Sequence, residues 1–101
     1  MKRYACHRLY THQGHFLKQA VVVIDEDGTV VHYTPFEEEQ RATEWIGGII
    51  ILSYQSEAEL AHWNSLSFSE KIKDFPVFAW HLSHFDFEQG KPTPQSVLRR
   101  L

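Results

Sequence analysis

Seven histidines in 101 residues are the first feature of this sequence that could carry chemistry. Imidazole nitrogens are good ligands for zinc and iron, and the pairs His12/His15 and His81/His84 each have members three residues apart. The second pair falls in a predicted strand, where this spacing puts the rings on opposite faces; the first flanks a turn, where either geometry is open. Because no Cys-x-x-Cys or His-Glu-x-x-His pattern accompanies them, we expect no metal; these four histidines are the candidates if one binds.

The other reactive side chains do not form a catalytic pattern either. Cys6 is the single cysteine and falls in a predicted strand, where a thiol is usually a small buried hydrophobic group. His7 would point to the opposite face and could not activate it. The sequence contains no glycine-rich phosphate loop and no nucleophile elbow. We therefore predict that the chain is not an enzyme and needs no cofactor.

Aromatic side chains make up 14% of the residues, including three tryptophans. One interpretation is that they fill the core. The other is that some form a contact surface, because Trp and Tyr concentrate in interface hot spots. The residues that we predict for such an interface are Trp80, Phe85, Phe87 and Trp63. A rival hypothesis is a small-ligand or metal-binding module that uses His81, His84 and the aromatic residues beside them.

Most of the elements that would position these residues are predicted strands. From Tyr4 to Tyr10 the pattern alternates, with Tyr4, Cys6 and Tyr10 on one face and Ala5, His7 and Leu9 on the other. The run of valines before Ile24 favours a strand buried on both faces. Asp25-Glu26-Asp27-Gly28 between two Val-rich runs is typical of a tight hairpin.

Three capping patterns predict short helices, beginning at Thr34-Pro35, at Ser56 and at Ser67. Strands are expected over residues 49–54, 77–87 and 95–101. The apolar alternation slips within the second of these, which predicts a bulge or bend near Ser83-His84. Together these elements predict one domain over residues 1–101. Its fold class is mostly β, a β-sandwich-like arrangement of antiparallel and mixed sheets with two or three short inserted helices.

Residues 4–53 resemble the opening of amidohydrolase-superfamily enzymes, a family of metal-dependent hydrolases. The resemblance lies in the segment Ala20-Val21-Val22-Val23-Ile24-Asp25-Glu26-Asp27-Gly28-Thr29-Val30-Val31 and in the Gly-hydrophobic stretch from Gly48. It implies the small composite β-sandwich domain that flanks the catalytic barrel of those enzymes. The family's His-x-His metal pair has no counterpart in Gly48-Ile49-Ile50-Ile51-Leu52-Ser53-Tyr54, and a barrel needs roughly 200 residues or more. The resemblance thus implies a barrel-less relic of a metal-dependent hydrolase.

Composition narrows the expected partners. A net charge of −3 and a pI near 6.1 predict no nucleic-acid binding, and the apolar runs are too short to span a bilayer. A single cysteine and the absence of a signal-peptide pattern indicate a cytoplasmic protein. In the resembled enzymes the barrel covers one face of the sandwich, and here something else must cover it. We therefore predict a non-catalytic interaction or accessory module that binds a partner protein or forms a homodimer.

Overall fold

The computed structural model describes residues 1–12, 15–36, 43–66 and 76–101, and strands dominate these segments. The prediction of a mostly β protein is confirmed. The strands are β1 (Lys2–His12), β2 (His15–Ile24), β3 (Val30–Pro35), β4 (Thr43–Trp45), β5 (Ile49–Ser53), β6 (Phe78–Leu82), β7 (Phe85–Asp86), β8 (Lys91–Pro92) and β9 (Leu98–Arg100).

Seven of these strands form one sheet in the order β3-β2-β1-β5-β6-β9, with β4 also paired to β1. The pairings of β1 with β4 and with β5 are parallel, and the others in this sheet are antiparallel. Thr29, just before β3, forms a bridge with Phe78 of β6, and the Val30 N–H donates to the Val77 carbonyl at 2.7 Å. The sheet therefore curls until its β3 side meets β6. Strands β7 and β8 form a separate two-stranded sheet.

Two apolar clusters lie on opposite sides of β5, whose five residues are all buried. Ile50 and Leu52 belong to the first core, and Ile49 and Ile51 belong to the second. The other fully buried members of the first core are Cys6, Leu9, Ala20, Val22, Ile24 and Ala79. The second core adds Leu66, Trp80, Leu82 and Phe85. Burial on both sides explains why β5 is a continuous apolar run rather than an alternating one.

The predicted hairpin between β2 and β3 is confirmed. The Asp25 Oδ1 accepts hydrogen bonds from the N–H groups of Asp27 at 2.9 Å and Thr29 at 3.0 Å. Gly28 has a φ of +83°, which glycine adopts without steric cost. The valines before Ile24 are buried on both faces of the sheet, as the sequence predicts.

The prediction of two or three short helices is wrong for the described residues, which contain one 3-10 helix, Leu60–Ser65. The capping pattern at Ser56 does not begin a helix, because Glu59 before the 3-10 helix is extended and makes no side-chain cap. A 3-10 helix has three residues per turn, which aligns Leu60 with Trp63, and both pack on the second core. Thr34 and Pro35 end strand β3. The part of that predicted helix after Phe36, and all of the one beginning at Ser67, lie outside the described residues.

The predicted bend near Ser83-His84 is present. Strand β6 ends at Leu82, and His84 has a φ of +53°. After this turn the chain enters the small second sheet, so Phe85 joins Trp80 in the second core despite the opposite parity of their positions. The slip in the apolar pattern thus marks a change of sheet rather than a bulge within one strand.

Candidate functional site

Side-chain alternation reverses in the middle of β1. Cys6 and Leu9 both lie in the first core although they are three residues apart, and Tyr10 packs against the second core. The predicted faces are therefore wrong beyond Cys6. The reversal occurs where the N–H groups of His7 and Arg8 both donate to the Gly48 carbonyl, at 3.1 and 3.3 Å. Two consecutive N–H groups that share one carbonyl interrupt the regular ladder, and such an interruption redirects the side chains.

Strand β2 reverses its alternation at the matching place. Leu17 and Ala20 both pack in the first core, and Gln19 between them has a φ of +50°. Positive φ is uncommon for a residue other than glycine and costs roughly 1–3 kcal/mol. Regular pairing holds on either side, at Cys6 with Ala20 and at Arg8 with Lys18. Both strands of the hairpin are therefore irregular at the same level.

These paired irregularities form a cleft of about 570 Å³ that is open to solvent. Its lining residues are His7, Arg8, Lys18, Gln19, Phe36 and Phe87. Phe36 follows β3 and is held by its N–H, which donates to the Gln19 carbonyl. Two cations and a histidine line the cleft, and its described lining includes no carboxylate, hydroxyl or thiol.

Aromatic rings hold the basic side chains of this cleft in place. The Arg8 guanidinium carbon lies 4.9 Å from the ring centroids of both Phe16 and Phe87. A cation at this distance from a ring is attracted to its face. The His7 ring makes edge contacts with Trp45 at 5.0 Å and with Phe87 at 5.5 Å between centroids. Trp45 and Phe16 remain 48% and 40% exposed, so aromatic surface flanks the cleft on the solvent side.

Two glycines support the base of this arrangement. Gly47 and Gly48 have φ values of +65° and +59°. A Cβ on Gly47 would lie 3.2 Å from the His7 ring, and one on Gly48 would lie 2.6 Å from the Leu82 carbonyl oxygen. The stretch from Trp45 to Ile49 holds one more residue than the β1 segment it faces, Ala5 to Arg8. The glycines accommodate that extra residue.

The structure brings the four predicted interface aromatics together around the second core. Trp80 and Phe85 are buried, at 6% and 7% exposure, and the Trp80 indole N–H donates to the Gln55 carbonyl at 3.0 Å. Phe85 contacts Trp63 and Phe87 at 5.2 and 5.3 Å between centroids. Of these four residues, only the half-buried Phe87 and Trp63 have side-chain surface that a partner could contact. Phe87 is the one that lines the cleft.

The predicted histidine pairs occupy unlike environments. His81 is buried, and burial lowers its pKa although the carbonyls of Gly47 and Ile46 favour the protonated ring. Its Nε2 has no hydrogen-bond partner among the described residues. His84 is exposed in the turn after β6. His12 and His15 pair through their backbones at the β1–β2 turn. Within the described segments, no cluster of three or more His, Cys, Asp or Glu residues could hold a metal ion.

Cys6 lies next to the cleft in sequence but faces the first core. Its sulfur is 3.1 Å from the Arg8 carbonyl oxygen, and burial raises the pKa of the thiol to about 12. Such a thiol is a poor nucleophile because the thiolate is the reactive form. The environment of Cys6 is the one expected for a core residue.

Sequence reasoning identified only Phe87 among the residues of this cleft. Arg8, Lys18 and Gln19 are ordinary polar positions in an alternating strand pattern, and Trp45 is not among the aromatic residues predicted for an interface. The available signal is the Gly47-Gly48 pair, because glycine within a strand pattern often marks a bulge or the close approach of another backbone.

Comparison of the sequence with protein-family models and with curated proteins, and of the structure with solved structures, finds no match. In the segments that the structure describes, no helix has the length and apolar character needed to cross a membrane.

Proposed function

We propose that this domain is a non-catalytic interaction module that binds a partner protein through the cleft and the aromatic surface flanking it. The observation that carries the proposal is that Arg8 lies over the rings of Phe16 and Phe87 while the exposed indole of Trp45 contacts His7 of the same cleft. Arginine and tryptophan are among the residue types enriched in interface hot spots. The described cleft lining offers cations and aromatic rings, the groups that a partner's acidic and apolar side chains would contact.

A partner of different sequence fits this surface better than a second copy of the chain. A twofold dimer centred on the cleft would place Arg8 and Lys18 of one copy near those of the other, and like charges across an interface are unfavourable. We therefore favour a separate partner over the homodimer that the sequence also allowed. Light scattering across a dilution series is expected to give the monomer mass.

The ancestry stays a proposal of its own. A barrel-less relic of an amidohydrolase-like composite domain would retain the β2–β3 hairpin and the glycine pair before β5. Here β5 lies between β1 and β6 in the same sheet, so the stretch after the glycine pair is part of this domain's own sheet. We also propose a cytoplasmic location, on the grounds of cysteine content given above.

The proposal is tested by capture from native lysate with three forms of the immobilised chain. Trp45→Ser removes the exposed indole beside the cleft, and Val97→Ser removes a side chain that is 59% exposed at another place. We expect one partner to be retained by the wild type and by Val97→Ser, and to be weakened about tenfold or more by Trp45→Ser. Equal retention by both variants would contradict the proposal.

A further inference from the structure

The cleft has a charge arrangement that calls for a negatively charged occupant. Arg8 and Lys18 are directly opposed across the β1–β2 ladder. Side chains at such positions have Cβ atoms about 4.5–5.5 Å apart, and like charges there destabilise the sheet. A carboxylate bound between them would convert this repulsion into two attractive contacts. None of the described lining residues is acidic, and Glu37, Glu38 and Glu39, which follow Phe36 in the sequence, lie outside the described residues.

The Arg8 side chain is already held in position in the absence of a ligand. Its guanidinium lies 4.9 Å from the centroids of both Phe16 and Phe87. Stacking restricts the rotamers of a long side chain, and this lowers the entropy lost when its N–H groups donate to a carboxylate. The planar donor group also matches the two oxygens of a carboxylate.

The remaining walls are suited to an apolar side chain and a peptide backbone. Phe36 and Phe87 contribute ring surface to the cleft, and the Gln19 side chain provides one amide that can both donate and accept hydrogen bonds. The cleft is open to solvent. Pockets for small molecules usually bury most of the ligand, so an open cleft flanked by exposed rings fits a segment of a larger chain better.

We propose that the cleft is the docking site for an acidic segment of a partner chain. A carboxylate of that segment lies between Arg8 and Lys18, and an adjacent aromatic or aliphatic side chain packs on Phe36 and Phe87. This inference rests on the proposed function, because it specifies the chemistry of the partner at the same surface. It also predicts that rising salt weakens the complex, since the contacts are charged and partly exposed.

The test uses the full chain and synthetic peptides with blocked ends, measured by calorimetric titration. The probe is Ac-Gly-Glu-Phe-Glu-Gly-NH2, and its matched control replaces both Glu residues with Gln. We expect the Glu peptide to bind about tenfold or more tightly than the Gln peptide. Lys18→Gln and Arg8→Gln should each remove most of that difference. Arg99→Gln, which changes a cation on β9, is the control and should leave it intact.

Three results would overturn the inference. Equal binding of the Glu and Gln peptides would remove the role of the carboxylate, and an unchanged affinity in both Lys18→Gln and Arg8→Gln would place the site elsewhere. Free phenylacetate binding as tightly as the peptide would indicate a site for a small organic acid instead of a partner segment. Lys18→Gln keeps the test valid if Arg8→Gln unfolds, because Lys18 is exposed.

Failure of this inference and failure of the proposed function give different patterns. If the Glu peptide shows no preference but lysate capture still depends on Trp45, the module binds a partner without an acidic anchor. If the peptide binds as expected but Trp45→Ser captures normally, the cleft recognises carboxylates and the partner contact lies elsewhere.

Discussion

Strand β5 and the cleft lie side by side in one sheet, but side chains alternate regularly in β5 and irregularly at the cleft. In β5 every residue is buried, and successive side chains enter the first and second cores in turn. At the cleft the alternation of β1 and β2 reverses, and Arg8 and Lys18 are presented beside aromatic rings. A sheet that is apolar on both sides can expose a charged surface where its regular ladder is interrupted. The interruption is therefore the feature that we connect with function.

The largest expected effect comes from the glycine that joins the two regions. Gly48→Ala combines an unfavourable positive φ with a Cβ placed 2.6 Å from the Leu82 carbonyl oxygen. We expect it to lower the free energy of unfolding by about 3 kcal/mol or more. Gly90→Ala has a similar φ but no neighbour within 4 Å, and its cost should be about 1 kcal/mol. Urea denaturation measures both free energies of unfolding. Equal losses in the two variants would show that the close approach at Gly48 has no effect on stability.

The boundary between core and cleft can be located chemically at Cys6. Burial raises the pKa of its thiol to about 12, so the reactive thiolate is scarce in the folded protein. A disulfide reagent at pH 8 is expected to react at least about 100-fold more slowly with the folded protein than with the chain in guanidinium. Rapid labelling of the unfolded chain in guanidinium also shows that the reagent is active. Rapid stoichiometric labelling of the folded protein would mean that the cleft extends to Cys6.

The strand irregularity can be tested at Gln19 without changing the charges of the cleft. Its φ of +50° is poorly tolerated by β-branched residues, so Gln19→Val should lower the free energy of unfolding by about 2 kcal/mol. Gln19→Gly removes the side chain but accepts the same φ, and it should stay within about 1 kcal/mol of the wild type. Thermal or urea unfolding distinguishes them. A stable Gln19→Val would indicate that β2 can run regularly past the cleft.

The smallest expected effect is a pH dependence from His81. Because burial lowers its pKa, the unfolded chain takes up the proton first as the pH falls below the ordinary value of about 6.5. The stability contributed by the neutral ring is present above that value and is lost as the pH falls towards the lower folded value. One proton changes stability by at most about 1.4 kcal/mol per pH unit. Urea unfolding between pH 7 and pH 5 should show a shallower loss for His81→Gln than for the wild type.

The control for this titration is His32→Gln, which changes an exposed histidine on β3. If the free energy of unfolding falls equally with pH in His81→Gln and in the wild type, another group causes the loss of stability at low pH. Arg99 and His84 lie near His81, and their positive charges also disfavour its protonated form. A substitution at either position would therefore change the pKa of His81 as well.

The sequence predicts the parts of this fold that depend on local chemistry. The Asp25–Gly28 turn, the doubly buried valines and the bend at Ser83-His84 each follow from residue types that have few alternatives. The helix expected at Ser56 fails because a capping pattern specifies a helix start only if packing supports it, and Leu60 and Trp63 pack as a 3-10 turn instead.

The cleft could not be predicted in the same way, because it arises from pairing between distant segments. The irregularity at His7 involves Gly48, which is remote in sequence, and the opposed cations require the register of β1 with β2. A one-residue shift in either pairing would move these side chains to other positions. The four aromatics predicted as an interface show the same limit, since Trp80 and Phe85 are buried by contacts that their strand pattern does not specify.

The central claim is that the irregularities at His7 in β1 and at Gln19 in β2 together make a binding surface for an acidic segment. The most direct measurement is a nuclear magnetic resonance titration of isotope-labelled protein with Ac-Gly-Glu-Phe-Glu-Gly-NH2. We predict that the largest shifts fall on the amides of His7, Arg8, Lys18 and Gln19 and on the Trp45 indole N–H, with β5 and β9 little affected. Shifts centred on His81, Val97 and Arg99, or spread evenly over the surface, would contradict the account.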